Sequence, residues 1–352
     1  MNIFSKIKLP IAKEKFSIGL DIGTQAIKCV KIKINNGFEL VSFDVEEGQL
    51  DPREILKKIK HSQDADLVNI SFCGSATVIR YVNFLRMNKN ELKQSLKFEA
   101  QKHIPFSLNE VNLDAEILKS DLPENKMLVM IGAIKKETLQ QRLRTLDNVG
   151  LRPNIIDIDS IALINAFNFN YPKIDVADDK SICLLNIGAT ISNVNILENG
   201  IPRLSRDIHT AGANFTKKLM DVFELDFKAA EELKILPEGS GLATDSQSHK
   251  PDPQRANKVK ASVESVLTNL AQEIRTSFDY YESQNTSNVV KIFLSGGAGK
   301  IPELSEMLSS CLGIAVEFWD PFKKIKISEK LDAQKLNQSA GCFNVAVGLA
   351  LR

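Results

Sequence analysis

What this chain is short of narrows its possible roles first. In 352 residues it has a single tryptophan, four histidines and five cysteines. The cysteines (Cys29, Cys73, Cys183, Cys311 and Cys342) are odd in number, set among apolar residues and never arranged as C-x-x-C. That usage predicts buried, reduced thiols rather than a disulfide framework. The histidines (His61, His103, His209 and His249) share no ligand spacing with cysteines or carboxylates, which argues against a zinc site. An excess of one charge is missing too: 45 Lys plus Arg stand against 44 Asp plus Glu, a formal net charge of +1. Gripping nucleic acid through bulk charge requires a basic excess, so nucleic acid is not an expected partner. Nor is there a long apolar run. The longest uncharged stretch, Ser181–Leu197, is broken by Asn186, Thr190, Ser192, Asn193 and Asn195, whereas a spanning helix needs about 20 mostly apolar residues. No secretory apolar segment follows the start, so a cytoplasmic protein is expected.

Familiar chemical motifs are absent as well. There is no G-x-x-x-x-G-K-[ST], no G-x-G-x-x-G after the first strand-like run and no G-x-S-x-G. These gaps exclude a P-loop, a dinucleotide-binding Rossmann unit and a serine hydrolase elbow.

What is present is an α/β pattern long enough for roughly two domains. Residues 1–15 form a basic lead, read as a flexible terminus, with Ile3, Phe4 and Ile7 on one possible helical face. Strand-like runs follow at Ser17–Leu20, Ile27–Ile34, Leu67–Phe72 and Val78–Leu85, with helical spacing over Asp51–Lys60. Leu92, Leu96, Ala100 and Ile104 mark another helix, which Pro105 ends. Strands near Val111–Leu118 and Met127–Ile134 and a helix over Lys136–Val149 complete a β-α-β-β-α unit. Ile155–Asp157 reads as a short strand, followed by a helix. A second strand-turn-strand begins at Ile182, nearly half the chain after the first, so the two hairpins can head two related halves. Helices are expected at Gly212–Phe223 and Lys228–Ile235. Residues 237–257, rich in Gly, Ser, Pro, Asp and Gln, read as a flexible surface insertion. A long helix then carries Val263, Val266, Leu267, Leu270, Ile274, Phe278 and Tyr281 on a core-facing stripe. Strand Val290–Leu294, a glycine-rich turn, a helix opened by Pro302, strand Ala315–Phe318 and an apolar helix complete the pattern.

Three glycine-bearing turns each follow an apolar strand: Asp21-Ile22-Gly23, Asn186-Ile187-Gly188 and Ser295-Gly296-Gly297-Ala298-Gly299. Glycine lets backbone N–H groups approach an anion unobstructed. Two such turns facing one another can clamp the phosphates of a nucleotide. Asp21 can order the water shell of a hard cation, and Lys28 supplies a point charge for phosphate.

The series LDIGTQAIK (Leu20–Lys28), LLNIGAT (Leu184–Thr190), AEELK (Ala230–Lys234) and LSGGAGKIPEL (Leu294–Leu304) resembles the phosphate-1, phosphate-2 and nucleoside motifs of the actin-like ATPases. KFEAQKHIPFSLNEV (Lys97–Val111), NIIDIDSIALINAF (Asn154–Phe167) and FNVAVGLALR (Phe343–Arg352) narrow the resemblance to the FtsA-like PilM family of type IV pilus assembly. It covers essentially the whole chain from Ile18.

The resemblance implies an actin-like ATPase fold of two lobes, each with a core and an inserted subdomain, with ATP or ADP and magnesium in the cleft. Residues 16–77 with 151–179 and 336–352 would form the first core, and 78–150 its insert. Residues 180–211 with 285–335 would form the second core, and 212–284 its insert. It further implies that Asp21, Gly23, Thr24 and Lys28, then Asn186, Gly188, Ala189 and Thr190, line the phosphates. Gly212, Glu231, Lys234, Gly296, Gly297 and Gly299 would hold the nucleoside side. Asp21 and Asp159 would be the catalytic carboxylates, with no metal held directly and magnesium reached through water at Asp21. The phosphate-2 motif usually begins with Asp, and Asn186 stands there instead, so binding is expected and hydrolysis is put in doubt. The implied partner is the N-terminal cytoplasmic tail of a PilN-type membrane protein within the pilus assembly subcomplex, with membrane contact indirect. Phe98, about 200° around the helix from Leu96 and so off its apolar stripe, is the candidate partner contact. An amphipathic anchor of the FtsA kind after Leu351 is not expected. The alternative expectations are an active ATPase and an FtsA- or MreB-like filament former.

Overall fold

The structure, a computed structural model, describes residues 15–48, 51–174, 176–177, 180–235 and 253–352. The chain opens with β1 (Lys15–Ile22), β2 (Ala26–Ile34), β3 (Phe38–Glu47), α1 (Pro52–Gln63) and β4 (Leu67–Phe72). A smaller unit follows: β5 (Thr77–Leu85), α2 (Lys89–Ala100), β6 (Val111–Leu122), β7 (Lys126–Lys135) and α3 (Lys136–Asp147). β8 (Arg152–Ile158) and α4 (Asp159–Asn170) lead into the second half. Its elements are β9 (Lys180–Ile187), β10 (Ser192–Glu198), β11 (Ile201–Ile208), α5 (Gly212–Phe223), α6 (Phe227–Ile235), α7 (Pro253–Gln284), β12 (Asn288–Ser295), α8 (Leu304–Leu312) and β13 (Ala315–Phe318). Last come β14 (Lys326–Ile327), α9 (Ala333–Ser339) and α10 (Asn344–Ala350).

Local chemistry accounts for several of these boundaries. Asp51 caps α1 by accepting from the Arg53 N–H, with Pro52 in the first turn where its missing N–H costs nothing. Asn88 and Glu91 form a capping box at the start of α2. That helix ends at Ala100 rather than running on to Ile104, although Ile104 is buried in the same apolar cluster.

The halves repeat one topology. In the first sheet β3, β2 and β1 are antiparallel neighbours, and β4 and then β8 extend it in parallel. In the second sheet β11, β10 and β9 are antiparallel, and β12 and β13 extend it in parallel. The paired hairpins seen in the sequence therefore head two sheets with the same strand order. β14 adds to the free edge of β3. The small unit between β4 and β8 is a separate antiparallel sheet, ordered β5-β7-β6, with its own core around Phe84, Leu92, Leu96, Met127 and Ile131.

Helices α4 and α10 lie between the two large sheets. Ala162, Leu163, Phe167, Ala346 and Val347 share a core with Val30 and Ile32 of β2 and with Ile182 and Leu184 of β9. The opposite faces are covered by α1 and α3 on the first sheet and by α7 and α8 on the second. The α4–α10 crossing is tight enough that a Cβ at Gly348 would collide with the Ala162 carbonyl, and one at Gly19 of β1 with the Ala346 carbonyl. Burial of the apolar stripe places α7 as expected, with Val263, Val266, Leu267, Leu270, Ile274, Phe278 and Tyr281 inside.

Some expectations need correction. Pro253–Asn257, read as part of a loop, form the first turns of α7, with Pro where a helix start tolerates it. The rest of that stretch, 237–252, lies outside the described residues, as does the basic lead up to residue 14. The helix placed after Pro302 begins at Leu304. Not every thiol is buried: Cys311 is exposed, and Cys73 is only partly covered. No helix among the described residues is long and apolar enough to cross a membrane.

Candidate nucleotide cleft

The two hairpin turns are built alike. Gly23 N–H donates to the Ala26 carbonyl at 3.1 Å, and Gly188 N–H donates to the Ile191 carbonyl at 3.0 Å. A Cβ at either glycine would meet that same carbonyl oxygen at 2.8 Å, so only glycine fits. The N–H groups of Thr24, Gln25, Ala189 and Thr190 donate to nothing among the described residues. The turns face one another, with Thr24 Oγ1 3.2 Å from Thr190 Oγ1. Unpaired N–H groups on two turns that meet at their threonines fit the phosphates of a nucleotide.

Asp21 stands at the end of β1, opposite Lys28 on the β1–β2 ladder. Lys28 Nζ contacts Asp21 Oδ2 at 2.9 Å, with both side chains largely covered. Burial pulls the Lys28 ammonium down, but the charge and hydrogen bond of Asp21 outweigh it, and the group ends above its ordinary value. Asp159, the first residue of α4, lies in the same group of charges. Burial and the neighbouring Asp21 push its carboxyl up to about 6, against hydrogen bonds from Ser71 and Cys73. The Cys73 thiol is pushed up as well, by burial and by Asp159. Arg142 of α3 adds a cation: its Nη1 is 3.4 Å from the Ile22 carbonyl.

In the second turn, Asn186 takes the ladder position that Asp21 has in the first, opposite Asn193 where the first has Lys28. An ion pair in one half is thus an amide pair in the other. Asn186 Nδ2 donates to Asn193 Oδ1 at 3.0 Å and accepts from Ser295 Oγ at 3.2 Å. Asn193 Nδ2 passes the relay to Asp207 Oδ1 at 2.7 Å, and Asp207 Oδ2 accepts the Gly74 N–H at 2.6 Å. Asn186 is therefore committed within the protein, and the relay ties the second turn to the loop after β4.

The remaining predicted residues fall around this centre. Gly212 opens α5, and its N–H is bound to the Gly188 carbonyl at 3.0 Å, so it buttresses the turn rather than offering a free donor. Glu231 and Lys234 of α6 pair at 2.6 Å, and Lys234 also donates to Thr216 Oγ1 at 2.9 Å. Thr216 reaches back to the Gly212 carbonyl at 3.1 Å and also bonds Glu231. Gly296 has φ of +100°, and its Cβ position is filled by the backbone of Ile187, which presses the third turn onto β9. A Cβ at Gly297 would meet only open space, and one at Gly299 would strike the Phe318 ring at 2.7 Å. A cavity of about 730 Å³ borders this turn, lined by Gly297, Gly299, Lys300, Trp319, Leu336 and Cys342 among others. Phe98 lies away from all of this on α2, 70% exposed, with Lys102 Nζ 4.6 Å from its ring centroid.

Sequence reasoning missed Arg142, Thr216 and Asp207. Thr216 lies one helical turn after Gly212, a spacing that places both on one face. Arg142 reads as part of a solvated helix face, and Asp207 as an ordinary strand residue. No local signal distinguishes them.

A solved structure of a PilM–PilN type IV pilus biogenesis complex matches with a TM-score of 0.80 at 24% identity, over 96% of this chain and 98% of that one. The ethanolamine utilization protein EutJ of Carboxydothermus hydrogenoformans matches with a TM-score of 0.53 at 14% identity, over 96% and 89%. These likenesses establish the fold. The sequence family described as type IV pilus assembly protein PilM matches residues 19–352. With that match spanning both halves, the inserted unit and all three turns, the chain belongs to the PilM family of type IV pilus assembly proteins.

Proposed function

We propose that this protein is a cytoplasmic, ATP-binding scaffold of pilus assembly that docks the tail of a PilN-type inner-membrane protein, and so lies against the membrane through its partner. The observation that carries the nucleotide half is the meeting of the two matched turns at Thr24 and Thr190, 3.2 Å apart, each offering N–H donors without protein partners among the described residues. Phosphates bound there would lie beside Lys28, and Asp21 and Asp159 are the carboxylates able to order the water shell of an accompanying magnesium ion. A bound nucleotide would supply a polyanion that draws the two halves together. Glu231, Lys234 and the Gly296–Gly299 turn would hold the nucleoside.

Turnover is expected to be weak. A second carboxylate in the phosphate-2 turn would help fix hydrated magnesium, and Asn186 is instead engaged with Asn193 and Ser295. The partner half is supported by family membership and by the solved PilM–PilN complex of the same fold. Phe98, exposed and off the apolar stripe, is the proposed contact.

Calorimetric titration of the purified chain with ATP, and separately with a synthetic PilN-type tail, tests both halves. Saturable binding of each at micromolar concentration is the expected result. Absence of tail binding at high micromolar concentration would sink the scaffold reading.

A further inference from the structure

Arg142 belongs to none of the motifs that point to a nucleotide, and it comes from α3, which follows the small three-stranded sheet in the chain and packs through Leu139 and Leu146 on the first large sheet. Its Nη1 donates to the Ile22 carbonyl at 3.4 Å. Ile22 immediately precedes Gly23, so the contact is at the base of the first turn. The guanidinium is also 5.4 Å from the Phe72 ring centroid, and the charges of Asp159 and Asp21 act on it. Among the described residues it makes no other hydrogen bond. One long bond to a carbonyl is a poor reason to cover a guanidinium, because desolvating the charge costs more than such a bond returns. The remaining N–H groups of its fork have no protein partner among the described residues.

We propose that Arg142 is a specificity-determining contact for the terminal phosphate of a nucleoside triphosphate, supplied to the cleft by α3. This rests on the nucleotide reading above. Lys28 answers the charge of Asp21 by direct pairing, whereas Asp159 has no ion-pair partner among the described residues and its charge, with that of Asp21, acts on the Arg142 guanidinium. A planar fork suits two phosphate oxygens at once, which an ammonium cannot match. A diphosphate offers the same base, sugar and inner phosphates without the group that this fork meets. α3, which follows β7 of the small sheet directly in the chain, would then carry the contact to the nucleotide.

Calorimetry on the full chain with magnesium and either ATP or ADP tests the proposal, using the unaltered protein, Arg142→Gln and Arg142→Lys. The unaltered chain should prefer ATP. Arg142→Gln should lose about tenfold or more in ATP affinity while ADP affinity stays within about twofold, and Arg142→Lys should fall between. Equal losses for both nucleotides, or an unchanged ratio in both variants, overturn the proposal and leave the nucleotide reading standing. Failure of the unaltered chain to bind either nucleotide overturns both. If Arg142→Gln melts well below the unaltered chain, the ratio measured for Arg142→Lys decides.

Discussion

Asn186 donates its side-chain amide to Asn193 at 3.0 Å on the same rung of its hairpin that Asp21 and Lys28 occupy, as an ion pair, on the other. Two turns of one design thus carry different chemistry. The first holds a charge pair beside the cleft, and the second an uncharged relay ending on Asp207.

Asn186→Asp should therefore not simply restore a carboxylate. Asn193 can donate to only one of two flanking acids, so its carbonyl oxygen would face either residue 186 or Asp207. A loss of about 1–3 kcal/mol is expected, read as a lowered midpoint of chemical denaturation. Adding Asp207→Asn should recover much of it. If turnover is real, the double variant should show more of it than the unaltered chain.

Asp21→Asn should keep the fold and weaken ATP binding by about tenfold or more, because Lys28 loses its partner and the cation's water shell loses its carboxylate. Titration with ATP alongside thermal melting checks it. Unchanged affinity would place the phosphates elsewhere.

The Asp159 carboxyl, at about 6, gives a pH test. Its folded pKa lies above the ordinary carboxylate value, so the native state pays for ionising it above pH 6 and is relieved of that cost as the pH falls toward 4. Asp159→Asn should thus stabilise the protein at pH 8 by on the order of 1–3 kcal/mol. That advantage should shrink as pH drops through about 6. Melting curves of both proteins from pH 5 to 8 check the slope, and a constant difference would show that the Asp159 carboxyl is not raised.

Gly348→Ala and Gly297→Ala form a contrasting pair. The first drives a methyl into the Ala162 carbonyl where α10 crosses α4, and should cost about 3 kcal/mol or more. The second meets open space and should leave stability within about 0.5 kcal/mol. Any loss of ATP affinity in the second variant would then report on the ligand and not on the fold.

Phe98→Ala should leave the melting temperature unchanged, since the ring is exposed and outside the core. It should weaken binding of a PilN-type tail about fivefold or more. Unchanged tail affinity would return Phe98 to the surface it already occupies.

Much of the architecture follows from short-range pattern. Alternation of apolar residues marks β1, β2 and β4, helical spacing marks α5 and α7, and glycine after an apolar strand marks each turn. Strand β3 escaped because its residues, Phe38–Glu47, interleave charge with apolar positions and pair on both sides only once β2 and β14 are in place. The kinship of the two halves was visible as a repeated hairpin. That it extends to a whole strand order depends on parallel pairing between β1 and β4 and between β9 and β12, which brings together segments remote along the chain.

The division at the site is sharper. The sequence by itself determined that three turns are permissive toward an anion, because glycine's freedom at Gly23 and Gly188 is a property of the residue. Only the tertiary structure decided that Thr24 meets Thr190, that Asn186 is bound into a relay reaching Gly74, and that Arg142 of α3 touches Ile22. Such contacts join residues far apart in the chain. The Thr24–Thr190 and Gly74–Asp207 distances are set by how α4 and α10 seat the two sheets against each other, and the Arg142–Ile22 distance by the packing of α3 on the first sheet; no local propensity encodes either.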